Sequence, residues 1–149
     1  MKKLFILTFA TCLMIACQNP SEKVTLESPV DSLVSNWANN WNNHDSLAVK
    51  NMFESDGILF DDNVVAKKHE ELLIKWIRPS INFVQNMKIE KIQEWATLDR
   101  AGFSGLWSID IVANDSLVAQ YEGAFTCNWK KSENGEWKIS NAHVHHFTE

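Results

Sequence analysis

The chain has 149 residues, 45% of them hydrophobic, with 14 basic against 19 acidic side chains and a formal net charge of −5. An acidic chain with no basic cluster repels phosphate backbones, so nucleic acid is not an expected partner. The length suits one domain with its own apolar core.

The first twenty residues, "MKKLFILTFATCLMIACQNP", set two lysines before an apolar run from Leu4 to Ile15 and a small residue before a cysteine. Charge and length are those of a secretory signal peptide, and the run is shorter than the ~20 apolar residues of a membrane-spanning helix. The stretch "LMIAC" resembles a bacterial lipobox, with Met14 where leucine is most typical. That resemblance implies cleavage after residue 16, acylation of Cys17 and a place in the cell envelope, as a lipoprotein on the periplasmic side or outer surface. An ordinary secreted protein cut near Ala16 is the alternative. Processing removes Lys2, Lys3 and Cys12, which leaves 12 basic residues against 19 acidic ones and a net charge of −7. Cys127 is then the one thiol outside the lipid site, so no internal disulfide is expected. Residues 17–27 are polar and poor in aromatics, the composition of a flexible tether, and residues 28–149 form the domain.

The stretch "SPVDSLVSNWANNWNNHD" predicts the first helix. Ser28 is placed to cap it, Pro29 suits its first position, and Asp31 completes a capping pattern. Val30, Leu33, Val34, Trp37, Ala38 and Trp41 fall on one stripe at helical spacing. Asp45 caps a second, shorter helix to about Phe53, and Gly57 opens a brief strand, "ILF". A third helix is expected in "AKKHEELLIKWIRP", with Trp76 and Ile77 on its apolar side and Pro79 near its end. After Pro79 the pattern alternates, which predicts four strands near Met87–Leu98, Phe103–Val112, Leu117–Lys131 and Glu136–Phe147. The turns "ANDS" and "SENG" are rich in residues that tolerate turn geometry, so neighbouring strands should pair antiparallel. The fold class is α+β: three N-terminal helices packed on a curved antiparallel sheet.

With "WANNWNNHDSLAVKNMFESDGILF" in the helical half and "YEGAFTCNWKKSENGEWKISNAHVH" in the sheet half, the chain resembles the NTF2-like superfamily, near its SnoaL-like and DUF4440 groups. The resemblance covers Val30 to Phe147 and implies a cone-shaped domain enclosing an apolar pocket. Alternation along the last strand then points Ile139, Asn141, His143 and His145 inward and His146 outward, with Tyr121, Phe125, Cys127 and Trp129 inward on its neighbour. Trp37, Trp41, Phe60 and Trp76 close the volume from the other side. The ligand-binding set expected on this basis is Trp37, Trp41, Phe60, Trp76, Tyr121, Trp129, Asn141 and His145, for a small apolar or aromatic molecule. Alternatively these aromatics fill a core.

The superfamily includes ketosteroid isomerase, which sets an Asp base against an oxyanion hole of a Tyr and a protonated Asp. Asp61 falls where the resemblance implies the base. Trp37 stands at the Tyr position, and the second Asp position falls on or beside Cys127, so that oxyanion hole is missing and steroid isomerisation is not expected. A different acid–base pair, His143 with Asp61, remains open beside a His143 that is buried, neutral and hydrogen-bonded. A metal at the His-x-His of the last strand lacks a third ligand at a diagnostic spacing among His69, Glu122 and Asp61, so neither metal nor cofactor is expected. Three readings stay open: a lipid-anchored binding domain, a SnoaL- or isomerase-type enzyme, and an accessory module dimerising through the outer sheet face.

Overall fold

The computed structural model describes residues 27–147. The expected leader, Cys17 and almost all of the expected tether lie outside the described residues. Among these, no helix is long and apolar enough to cross a membrane.

Helix α1 (Val30–Asn42) buries Val30, Trp37 and Trp41, while Leu33 and Val34 pack half-buried beside them. Ser28 Oγ lies 3.4 Å from Val30 N, a long contact, and Pro29 occupies the cap position. Helix α2 (Ser46–Asn51) is capped as its sequence predicts: Asp45 Oδ1 accepts from Ala48 N at 2.8 Å. Strands β1 (Phe53–Asp61) and β2 (Val64–Lys67) then form a hairpin. Next come helix α3 (Lys68–Leu72), a π-helical turn over Leu73–Ile77, and a short α4 (Arg78–Ser80). The long strands β3 (Val84–Ala96), β4 (Arg100–Ala113), β5 (Ser116–Lys131) and β6 (Trp137–His146) follow.

All six strands join one curved sheet in the order β2-β1-β6-β5-β4-β3. Two features correct the expected architecture. The sheet is mixed, because β1 runs parallel to β6. A parallel neighbour needs a long crossover, and everything from α3 to β5 supplies it. The third helical segment also follows a two-strand hairpin where one brief strand was expected, and it is not one regular α-helix. Pro79 has no N–H and crowds the carbonyl four residues earlier, a conflict that the wider π turn accommodates. That turn buries both Trp76 and Ile77.

The hairpin between β4 and β5 turns at Asn114 and Asp115, both at positive φ (50° and 58°) between the paired Ala113 and Ser116. Two left-handed residues in a two-residue loop match the twist of the strands, which is why Asn and Asp stand there. The loop before β6 closes with Ser132 N donating to Glu136 O and Gly135 at a φ of 88°.

The core lies between α1, the helical crossover and the concave face of the sheet. Trp37 is its centre, stacked on Phe125 (ring centroids 5.1 Å) and tilted against Trp41, Phe53 and Trp76. Each such buried side chain contributes about 1.5–3 kcal/mol of apolar burial. The indole N–H groups of Trp41 and Trp129 are buried without an acceptor among the described residues, each a cost of about 1–3 kcal/mol.

Candidate ligand site at the mouth of the cone

A single unpaired residue sets which histidine enters the site. In the β5–β6 ladder Trp129 pairs with Ile139, but Asn128 pairs with Asn141, so Ser140 is an extra residue on β6. This β-bulge, held by Ser140 Oγ donating to Asn128 O at 3.1 Å, reverses the facing of every later side chain. Ile139 points into the core before it; Ala142, Val144 and His146 point inward after it, opposite Cys127, Phe125 and Gly123.

The expectations for the last strand are corrected accordingly. His143 lies on the outer face, stacked on Phe60 at 4.6 Å, and both rings are exposed. Asn141 accepts there from Asn128 Nδ2 at 2.8 Å. His145 is also outside, its Nδ1 2.8 Å from Asp62 Oδ1. His146, expected outside, faces in. Phe60 moves out for a related reason: it pairs with His143, and its neighbours Leu59 and Asp61 take the inner face. Trp129 does point inward, yet it is buried deep in the core and does not line the recess described below.

Asp61 ends β1 on the inner face with its side chain only 14% exposed. Trp76 Nε1 donates to Asp61 Oδ2 at 2.6 Å, and His146 Nε2 lies 3.0 Å from Asp61 Oδ1. The π turn supplies Trp76, the C-terminal end of β1 supplies Asp61, and the bulge supplies His146. With its proton on Nε2, His146 donates to Asp61 and leaves Nδ1 as an acceptor. The His146 ring stands edge-on to Trp107 (4.8 Å, 80°), whose own Nε1 donates to Ala124 O at 3.1 Å.

Asp62 fastens this corner from the other side. Its Oδ2 accepts from the backbone N of His146 at 3.0 Å and its Oδ1 meets His145 Nδ1. Those two bonds, the backbone one first, hold the Asp62 carboxyl below the usual carboxylate range. Ligand atoms of Asp61, Asp62 and His146 lie within 4.8 Å of one another. A metal there would have to displace the hydrogen bonds just described, and it would use neither His143 nor His145. Of the other metal candidates, His69 is bonded through its ring to Phe53 O at 2.9 Å, and Glu122 lines the outer groove.

Behind this corner lies a recess of about 90 Å³ walled by Trp37, Trp41, Trp76, Trp107, Ile109 and Phe125, with Asp61 and His146 at its rim. It opens into a wide groove at the mouth, where Tyr121 lies half exposed, 6.4 Å from the His146 ring. The recess is narrower than the wide aromatic lining expected from seven tryptophans, because the indoles largely fill the cone with one another. Cys127 is fully buried and burial pushes its thiol well up, which disfavours the reactive thiolate. The residues missed from sequence are His146, Asp62 and Trp107. Only Trp107 carried a signal, since Phe103, Trp107 and Ile109 alternate strictly on β4.

No family model matches the sequence, and no curated protein matches it. Solved structures do. A ketosteroid isomerase-like protein from Erwinia carotovora atroseptica superposes with a TM-score of 0.69 at 16% identity, over 80% of this chain and 95% of that one. An NTF2-like superfamily protein from Salmonella enterica serovar Typhimurium gives 0.67 at 11% identity, over 80% and 89%. A putative aromatic ring hydroxylase from Novosphingobium aromaticivorans gives 0.64 at 13% identity, over 80% and 87%. The chain has the NTF2-like fold: a curved mixed sheet of six strands wrapped around helices.

Proposed function

We propose that this chain is an exported, lipid-anchored NTF2-like domain that binds a small molecule, inserting a compact apolar group into the tryptophan recess and meeting Asp61 and His146 with a polar one. The recess carries the reading: an aromatic-walled volume of about 90 Å³ with one carboxylate and one imidazole at its rim. Apolar walls with a few convergent polar groups are the usual form of a small-molecule site. The volume is below the about 150 Å³ of a cavity that takes benzene, so a fused ring system does not fit and the rest of the ligand lies in the groove. Export and anchoring rest on the leader and Cys17.

The test is a thermal-shift screen of small organic molecules on the domain from residue 28, repeated on Ile109→Phe, which fills the recess from β4. Binding predicts compounds that raise the melting temperature of the parent and not of the variant. A screen in which no compound does so overturns the reading.

The Asp61–His146 contact favours a second reading, acid–base catalysis at the rim. Asp61 is held by Trp76 at one oxygen and faces a proton carrier at the other, the pairing a general base needs. Under that reading Asp61→Asn abolishes turnover of a bound compound while its affinity changes little.

A further inference from the structure

The walls and the rim of the recess together favour one charge type. We propose that the group it receives is a small quaternary methylammonium, held by the indoles and by Asp61; this rests on the binding reading above and gives the ligand its chemical class. Four tryptophans line the recess, Trp37, Trp41, Trp76 and Trp107, and indole is the strongest of the side-chain π systems for a cation. Trp41 and Trp76 meet at 78° with centroids 5.0 Å apart, which makes a corner of two aromatic walls.

Asp61 is the one acidic group among the residues lining the recess. Its side chain is 14% exposed, so water screens it less than a surface carboxylate. His146 is the lone basic group there, and it sits at the rim beside Asp61. A quaternary methylammonium has no N–H to satisfy, which suits walls that offer few acceptors, whereas a primary, secondary or tertiary ammonium would leave donors unpaired. The outer groove adds a field of the same sign: Asp62, Asp110 and Glu122 outnumber Lys75 and Lys88 along it. Acidic clefts concentrate cations. A compact, nearly spherical head also matches a recess of about 90 Å³ better than a flat ring does.

The test compares choline with its neutral carbon isostere, in which a tert-butyl group replaces the trimethylammonium, by calorimetry and tryptophan fluorescence at fixed ionic strength. The expected result is choline binding about tenfold or more tighter than the isostere, with a fluorescence change on saturation. In Asp61→Asn the preference should fall several-fold while the isostere binds as before. The comparison on the parent protein stands by itself if that variant does not fold. Equal affinities for the two compounds overturn the ammonium inference and leave the small-molecule reading in place. Failure of both to bind, with other compounds still shifting the melting temperature, also overturns it. If nothing binds at all, both readings fall.

Discussion

His146 Nε2 and Asp61 Oδ1 stand 3.0 Å apart across the parallel β1–β6 pair, while His143, three residues earlier on β6, stacks on Phe60 outside the cone. The two histidines should therefore respond oppositely to the same change. His146→Gln removes the imidazole from the rim and is expected to weaken ligand binding about tenfold, with a stability loss on the order of 1 kcal/mol. His143→Gln should leave binding unchanged and stability within about 0.5 kcal/mol. Urea unfolding and ligand titration on both variants decide it; equal loss of binding would remove His146 from the site.

Trp76 is tied to Asp61 by its indole N–H at 2.6 Å. Trp76→Phe keeps most of the ring and deletes the donor, and a hydrogen bond to a charged group is worth about 1.5–3 kcal/mol. We expect a destabilisation of about 2 kcal/mol. A double-mutant cycle with Asp61→Asn isolates the pair, with a coupling of about 1 kcal/mol expected. A coupling near zero would mean that Trp76 acts only by packing.

Asp62 makes the corner pH-sensitive. Its folded-state carboxyl is held below the ordinary value, chiefly by the backbone N–H of His146 and then by His145. The stability it contributes is therefore complete above the ordinary carboxylate pKa of about 3.9 and is lost as pH falls through the lower folded value. Unfolding curves of the parent and Asp62→Asn should differ at about pH 5 and converge in more acid solution. A difference that grows as pH falls below about 5 would contradict the assignment.

The first two helices were legible because their signals are local. The stripe through Trp37 and Trp41 and the cap at Asp45 stand where their spacing puts them. Four strands were legible to within a few residues from alternation. What alternation does not carry is an interruption of itself. Ser140 shifts the inner face of β6 from odd to even positions, and nothing in "KISNAHVHH" marks it, since serine, asparagine and alanine suit either face. Everything inferred beyond that residue was inverted, which exchanged His146 for His143 and His145. The parallel pairing of β1 with β6 was equally silent, because it joins segments some eighty residues apart, as the pair Asp61 and Val144 shows. Asp61 itself was found through a family resemblance, and its partners Trp76 and His146 came only with the three-dimensional pairing.

The lipid anchor is open to a direct test. Cys17 follows the apolar run from Leu4 to Ile15 and a small residue. Cys17→Ser should move the mature domain from the membrane to the soluble fraction of a bacterial host, because a single acylated site is the proposed tether. Equal membrane retention of the variant would rule the anchor out.

Two glycines on the long strands should differ sharply in their tolerance of a methyl group. A Cβ at Gly123 would overlap the carbonyl oxygen of His145 and come within 2.7 Å of the Trp107 ring. The carbonyl belongs to the β5–β6 ladder, and Trp107 is buried against His146 and bonded to Ala124 O, so neither can retreat without opening the rim. At Gly102 the clash is with the ring of Trp95 instead, on the outer face, where that side chain is 47% exposed. An exposed ring can change rotamer into solvent at a cost of about 1 kcal/mol. Gly102→Ala is therefore expected to lose about 1 kcal/mol and to bind ligand normally. Gly123→Ala is expected to lose about 3 kcal/mol, the upper end for overpacking, and to bind several-fold more weakly because His146 is displaced. Chemical unfolding and ligand titration of the two variants provide the check. If Gly123→Ala proves as mild as Gly102→Ala, the close packing of β5 against Trp107 and the end of β6 is wrong, and with it the placement of His146 at the recess.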